Sequence, residues 1–183
     1  MNHLRSTEHE TLRRHLDTLQ GVITILSYPP DLMHEVRKEW PQLQLTLRGI
    51  SYYFAVQLPD HFQREEDELF KQLAGKLTAE EETLLADLKI EHDGLRCLTG
   101  AIVDMIRPWL SSILIPRQVD AQLLSGLKFE LDLHIQRHEE LEDKKLIPIA
   151  KRILPEAALL ELLHAIGYVP QEEYRTASIK RSA

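Results

Sequence analysis

Residues 61–70 read HFQREEDELF and residues 138–147 read HEELEDKKLI. Both stretches follow the pattern His-x-x-x-Glu-x-x-x-Leu and end on a further apolar residue. Residues four apart lie on one face of an α-helix. Each stretch therefore predicts a helix that presents an imidazole and a carboxylate on the same side. Apolar residues three and seven positions earlier share that side, which predicts that it faces a buried core.

A second motif, Glu-His-x-x-Leu-Arg, occurs at residues 8–13 and again at residues 91–96. Each copy precedes one of the His-x-x-x-Glu stretches, so the chain contains the same two-part unit twice. When the copies are aligned, further apolar positions coincide. This predicts two similar helical hairpins that bury the same face. The aligned apolar pairs are Leu47 and Leu124, Phe54 and Leu131, Leu58 and Ile135, Leu19 and Ile102, and Ile23 and Ile106.

The hydrophobic periodicity predicts an all-α protein: a four-helix up-down bundle made of two helical hairpins, followed by a short fifth helix. No segment has the alternation that indicates a β-strand. Pro59 lies inside the second predicted helix and predicts a kink or a break there. Residues 31–40 are interpreted as a short helix or an ordered loop. We expect helices over about 4–26, 41–76, 78–108, 115 to 148 or 154, and 156–166, with a bundle domain over 1–154 and a capping helix with a loose tail over 155–183.

The composition excludes several classes of protein. The chain has 183 residues, the size of one domain with a sizeable core. It carries a net charge of −7, whereas nucleic-acid-binding domains carry basic patches. No apolar run reaches the ~18 residues of a membrane span. The single cysteine, Cys97, fits a reducing cytosol. We therefore expect a cytoplasmic protein that binds neither nucleic acid nor membranes, with a homodimer left open.

The repeated stretches direct imidazoles and carboxylates toward the core, where an ionised carboxylate is costly unless it is paired or bound to a metal. A single His/Glu pair would be interpreted as a surface pair worth about 0.2–0.5 kcal/mol. The repetition, with a matched lone His before each pair, favours a metal site, and a mixed His/carboxylate shell suits non-haem iron. Only Glu65 of the acidic run 65–68 follows the inner stripe, and Glu142, which matches Glu65 in the repeat, is preferred to Glu139. The candidate ligands are His9, His61, Glu65, His92, His138 and Glu142.

The chain resembles the hemerythrin-like proteins, the family of the HHE cation-binding domain, from His9 to Pro148. The resemblance rests on the four motifs already quoted, which occur in order and at helix-length spacing. It implies a four-helix bundle that holds two oxo- or hydroxo-bridged non-haem iron ions, with the carboxylates bridging and the His terminal. Other divalent metals, such as Zn or Mn, are alternatives in the isolated protein. The resemblance assigns the same residues as ligands as the motifs do.

One position departs from the oxygen-carrying hemerythrins. Those proteins place a second ligand His one turn after the His of the third helix, where this chain has Arg96. His134, one turn before His138, is the best substitute for the missing imidazole, and His34 is the next. The departure puts reversible oxygen carriage in doubt.

The resemblance implies a protein that binds dioxygen, nitric oxide or iron itself, in sensing, storage or stress response. A di-iron redox enzyme (an oxidase, a peroxidase or a nitric-oxide-reducing protein) would use the same ligands. A third alternative is a helical interaction module that holds a single metal ion or has lost its metal. Turnover with a reductant distinguishes the enzyme from the binding protein, and metal analysis distinguishes both from the interaction module.

Overall fold

The computed structural model describes residues 4–170, and these form five helices and a small pair of strands. The predicted loose tail lies outside the described residues. The helices are α1 (Thr7–Leu26), α2 (residues 33–73), α3 (Ala79–Ile106), α4 (residues 118–153) and α5 (Glu156–Ala165). The predicted all-α class is confirmed, with α1–α4 as the bundle and α5 as the short fifth helix.

Helix α1 begins three residues later than predicted because residues Leu4–Ser6 form a strand, β1. This strand pairs antiparallel with β2 (Tyr168–Pro170), with Ser6 opposite Tyr168. The Ser6 side chain then caps the helix by accepting a hydrogen bond from the backbone N–H of His9. The expectation of no β-strand was wrong here because three-residue strands carry no periodicity, and the partner lies at the far end of the chain.

Helix α2 begins at Met33, after a 3₁₀ turn at Pro30–Leu32, and it runs through Pro41. The start predicted at Pro41 was therefore wrong. Trp40 is buried, and its indole N–H donates to the carbonyl of Ser112 at 3.1 Å. The side-chain amide of Gln44 donates to the carbonyl of Trp109 at 2.7 Å. These contacts with the loop after α3 hold the first turns of α2 in place.

Pro59 does not break α2, because a wider helical turn precedes it. Residues Tyr53–Gln57 form a π-helical segment, in which the N–H of Leu58 donates to the carbonyl of Tyr53. The same arrangement recurs before Pro148 in α4, where the N–H of Ile147 donates to the carbonyl of Glu142. Proline removes an N–H and clashes with the carbonyl four residues back. In both helices that carbonyl lies within the π segment, and the chain continues without a break.

The core follows the internal repeat. All of the aligned apolar residues named above are at most 3 % exposed. One apolar cluster fills the bundle on the side of the α1–α2 loop, and a second one, which includes α5, fills the opposite end. The predicted two-fold repeat of buried faces is thus confirmed. Within the described residues, no helix is both long enough and apolar enough to cross a membrane.

Candidate metal centre

The candidate ligands from four helices converge between the two apolar clusters. His9 comes from α1, His61 and Glu65 from α2, His92 from α3, and His138 and Glu142 from α4. His9 is 6 % exposed and each of the others is at most 2 % exposed. The structure therefore brings together, in the interior, the residues that the two motifs predicted as ligands.

Each carboxylate lies between an imidazole of its own helix and an imidazole of the other hairpin. Glu65 has Oε1 3.4 Å from Nε2 of His61 and Oε2 3.3 Å from Nε2 of His92. Glu142 repeats the arrangement in α4. Its Oε1 lies 3.1 Å from Nε2 of His138, and its Oε2 lies 3.0 Å from Nε2 of His9. All four imidazoles thus present the same ring nitrogen to the centre.

The donor atoms form two overlapping groups, each with all of its atoms within 4.8 Å of one another. One group is His9, His61 and Glu65, and the other is Glu65, His92, His138 and Glu142. Glu65 belongs to both groups, so it is placed to bridge two positions. Each hairpin contributes its two His to one position.

The buried polar atoms of this cluster fit a metal ion better than they fit one another. Nε2 of each of the four His has no hydrogen-bond partner, and neither does Oε2 of Glu65 or Oε1 of Glu142. The N–O distances are short, but the groups are not aligned as hydrogen bonds. A buried donor or acceptor without a partner costs about 1–3 kcal/mol. Bound cations would satisfy all of these atoms at once.

Burial and mutual interaction set the charge state of the centre. Burial lowers the pKa of His61 to about 3 and the pKa of His92 to about 4. Burial also works against a charge on His9, but the Glu142 carboxylate outweighs it and raises the pKa of His9. Burial, with the charge of Glu142, raises the pKa of Glu65 well above its usual range. Neutral imidazoles are the form in which His binds metals, and burial favours this form for His61 and His92.

A π-helical segment begins at each of the two carboxylates. One spans Glu65–Phe70 in α2 and the other spans Glu142–Leu146 in α4. Single π turns inside α-helices occur frequently at functional sites. Their position in both copies links the helix distortion to the His-x-x-x-Glu-x-x-x-Leu pattern.

The comparison with known families bears on the whole bundle. The family model "Hemerythrin HHE cation binding domain" matches residues 3–150 of this chain. The chain belongs to the hemerythrin HHE family. Comparison with curated proteins and with solved structures found no match. The matched range includes the whole buried cluster, so the family's cation-binding role and the His/Glu cluster coincide in this protein.

Around this hemerythrin cluster, Arg96 supports His92 and is directed away from the centre. Glu66 Oε1 lies 2.8 Å from Nδ1 of His92 and accepts a hydrogen bond from Nη2 of Arg96 at 2.9 Å. The guanidinium also donates to Asp93. Glu66 was expected to be solvated with the rest of its acidic run, but its side chain is only 20 % exposed. A carboxylate on the far nitrogen of a ligand His fixes the ring orientation and the tautomer.

Arg13 supports Glu139 in the same way on the other side of the cluster. Glu139 is buried and forms an ion pair with Arg13, and its Oε1 lies 3.9 Å from Nδ1 of His9. Glu139, the alternative ligand to Glu142, therefore lies behind His9 and belongs to neither group of donor atoms. The Arg of each Glu-His-x-x-Leu-Arg motif thus reaches a carboxylate on the opposite hairpin.

The Glu of each motif makes the complementary contact within its own hairpin. Glu8 on α1 pairs with Arg64 on α2 at 3.3 Å. Glu91 on α3 pairs with Arg137 and with His134 on α4, at 3.1 and 3.3 Å. Each residue of the motif therefore has its own role. The Glu makes a contact within the hairpin, the His is a candidate ligand, the Leu packs in the core, and the Arg makes a contact between hairpins. The sequence repeat showed that these residues recur, but it did not show their partners.

The structure does not bring His134 or His34 into the cluster. The side chain of His134 is 41 % exposed and contacts Glu91, and the side chain of His34 is 62 % exposed and contacts Glu35. At 3.6 residues per turn, His134 lies about 40° to one side of His138, while the buried Ile135 and Glu142 lie on the other side. His134 does lie one turn before His138, but the buried face of α4 is centred on the side away from His134.

Aromatic rings close the cluster on two sides. The ring of Phe62 stacks on His92 with centroids 4.5 Å apart, and Phe70 lies 5.7 Å from the same ring. On the opposite side, Tyr168 lies 5.8 Å from His9, and its hydroxyl donates to Oε2 of Glu142 at 3.3 Å. Burial raises the pKa of the Tyr168 phenol well above its usual range, and the nearby Glu142 raises it further. Sequence analysis missed Tyr168, since the residues around it carry no motif.

Proposed function

We propose that this protein is a non-haem di-iron member of the hemerythrin HHE family and binds a small diatomic ligand, dioxygen or nitric oxide, or stores iron. His9 and His61 would hold one iron, and His92 and His138 the other, with Glu65 and Glu142 between them. The observation that carries the proposal is the set of buried Nε2 atoms without hydrogen-bond partners, arranged around two carboxylates that each contact both hairpins.

Bound iron would supply redox activity and open coordination positions for an exogenous ligand. The protein supplies the rest. The apolar shell excludes water, Glu66 holds the ring of His92, and four helices fix the spacing of the donors. Such a protein would work in sensing, storage or stress response in the cytoplasm. We further propose that residues 1–154 form the bundle domain that supplies the metal ligands, and that residues 155–183 form a short capping helix with a tail.

Metal analysis tests the proposal. Protein produced in iron-rich medium should contain about two iron ions per chain, as in other di-iron carboxylate bundles. Adding ferrous iron to metal-free protein without oxygen should raise the melting temperature, since a ligand of the folded state stabilises it by mass action. Zinc and manganese, added in the same assay, rank the preferred ion. A fully folded protein whose melting temperature does not respond to any of these ions would contradict the proposal.

A second candidate function is a di-iron redox enzyme, an oxidase, a peroxidase or a nitric-oxide-reducing protein. The observation in its favour is the small donor set. Neither His134 nor His34 replaces the imidazole that the oxygen carriers have at the position of Arg96, which leaves more coordination positions for a substrate. Iron-loaded protein with a reductant should then consume dioxygen, peroxide or nitric oxide over many turnovers. Stoichiometric binding without turnover favours the binding protein, and one ion or none per chain favours the interaction module.

A further inference from the structure

A segment beyond the family match reaches the metal centre. Residues 155–170, which we call the C-terminal strap, form α5 and β2 and lie outside the matched range of 3–150. The strap folds back over the end of the bundle, where Leu159 and Leu163 join the second apolar cluster. Its last described turn carries Tyr168 to the side of the cluster occupied by His9.

Several contacts position the strap at the start of α1. The carbonyl of Gly167 accepts hydrogen bonds from the N–H and the hydroxyl of Thr7, at 2.8 and 2.9 Å. Arg64 donates to the carbonyl of Ala165 at 3.0 Å and also pairs with Glu8. Gly167 has φ +90°, and a Cβ there would lie 2.5 Å from Cγ of Glu8. The positive φ and the close approach of Glu8 therefore favour glycine at this position, beside the tyrosine.

The side chain of Tyr168 contacts the centre directly. It is 3 % exposed, and its hydroxyl donates to Oε2 of Glu142, the same oxygen that lies 3.0 Å from Nε2 of His9. The hydrogen bond therefore fixes the carboxylate oxygen that faces His9. Among the aromatic residues of the described range 4–170 that contact the cluster, only Tyr168 brings a hydroxyl group to it, on the side of His9.

We propose that Tyr168 is a positioning residue of the metal centre: its hydroxyl orients Glu142 for the ion held by His9 and His61, and its ring closes that side to solvent. This inference rests on the proposed metal binding. It makes the C-terminal strap, which lies outside the range matched by the family model, a part of the site.

The test compares three variants in full-length, iron-loaded protein. Tyr168→Phe keeps the ring and removes the hydroxyl, Tyr168→Ala removes both, and Tyr52→Phe, at a tyrosine that is 59 % exposed, is the matched control. Loss of a hydrogen bond to a metal-ligating group typically lowers metal affinity by about 10–100-fold. Tyr168→Phe should fall in that range and alter the iron absorption spectrum. Tyr168→Ala should additionally speed removal of iron by a chelator, and Tyr52→Phe should match the wild type.

Gly167→Ala provides a test that leaves Tyr168 in place. The added methyl group should displace the turn and reproduce the faster chelation seen with Tyr168→Ala. Melting temperatures of the metal-free variants show whether each one folds. Equal affinity, spectrum and chelation rate in wild type and Tyr168→Phe would overturn the inference. A phenolate-to-iron(III) absorption band lost in Tyr168→Phe would also overturn it, since Tyr168 would then be a ligand. Failure of the wild type to bind iron would instead contradict the proposed function.

Discussion

His9 and His92 occupy the same place in the two copies of the Glu-His-x-x-Leu-Arg motif, but their surroundings differ. His92 is completely buried, lies against Phe62, and has a carboxylate 2.8 Å from its Nδ1. His9 is slightly exposed, has its nearest supporting carboxylate 3.9 Å from Nδ1, and faces Tyr168. The supporting carboxylates come from unrelated positions of the repeat.

The difference shows that the two halves of the His/Glu cluster are not equivalent, although they come from the same sequence repeat. The ring of His92 is held by direct hydrogen bonding and stacking, which suits a fixed position. His9 is held more loosely and is covered by a segment from outside the bundle. A duplicated hairpin therefore provides two similar donor sets, and the contacts around them make one set tighter than the other.

The largest effects should come from removing one His of each position. His61→Ala and His138→Ala should each lose about one of the two iron ions per chain and much of the iron-induced rise in melting temperature. Iron analysis and thermal unfolding measure both effects. His164→Ala, at an exposed position of α5, is the control and should leave iron content unchanged. Loss of both ions from either variant would show that the two positions do not fill independently.

The supporting carboxylates provide the next test of the comparison. Glu66→Gln should lower the affinity for the ion proposed to bind His92 and His138 by roughly 10–100-fold, since Glu66 contacts the Nδ1 atom of His92 directly. Glu139→Gln should have a smaller effect because its carboxylate stands 3.9 Å from His9. Competition with a coloured chelator measures both. An equal loss of affinity in the two variants would mean that Glu139 moves closer to Nδ1 of His9 when metal binds.

In the metal-free protein, the contributions of His92 and His9 to stability should change with pH in opposite directions. The pKa of His92 is depressed to about 4 by burial, so its contribution to stability is present above pH ~6.5 and is lost as the pH falls toward 4. The pKa of His9 is raised, so its contribution is present below pH ~6.5 and is lost as the pH rises through the folded-state value. His92→Gln should therefore reduce the loss of stability on acidification, and His9→Gln should increase it.

Urea unfolding at several pH values between 4 and 8 measures these slopes, and His164→Gln, at an exposed position of α5, is the matched control. Slopes that change in the same direction for both His variants would contradict the assigned pKa directions.

The smallest effects should come from the two arginines. Arg96 is 27 % exposed and holds both Glu66 and Asp93, whereas Arg13 is 62 % exposed and holds one carboxylate. Lysine keeps the charge but lacks the planar guanidinium whose two ends contact two carboxylates at once. Arg96→Lys should lower the stability of the metal-free protein by up to about 1 kcal/mol, and Arg13→Lys by less. Chemical unfolding measures both, and a larger loss for Arg13→Lys would reverse the ranking of the two sides.

The sequence by itself determined which residues could form the centre. The helices, the repeat and the inward faces of His61, Glu65, His138 and Glu142 all follow from periodicity within a few turns. Such local patterns depend only on helix geometry, and the structure follows them at every aligned apolar position. The expected start of the third helix near residue 78 is likewise observed, where Thr78 and Glu81 form a capping box within a single turn.

Only the tertiary structure decided what surrounds the centre. Glu66 and Glu139 become supporting groups because each lies beside a His of the other hairpin. His134 is excluded because the buried face of α4 is centred away from it. Tyr168 reaches His9 across almost the whole length of the chain. Contacts between residues so far apart depend on packing angles and on strand pairing, which leave no periodic signal in either segment. For that reason the convergence of the repeated His and Glu side chains was predictable, whereas the difference between the two halves of the cluster was not.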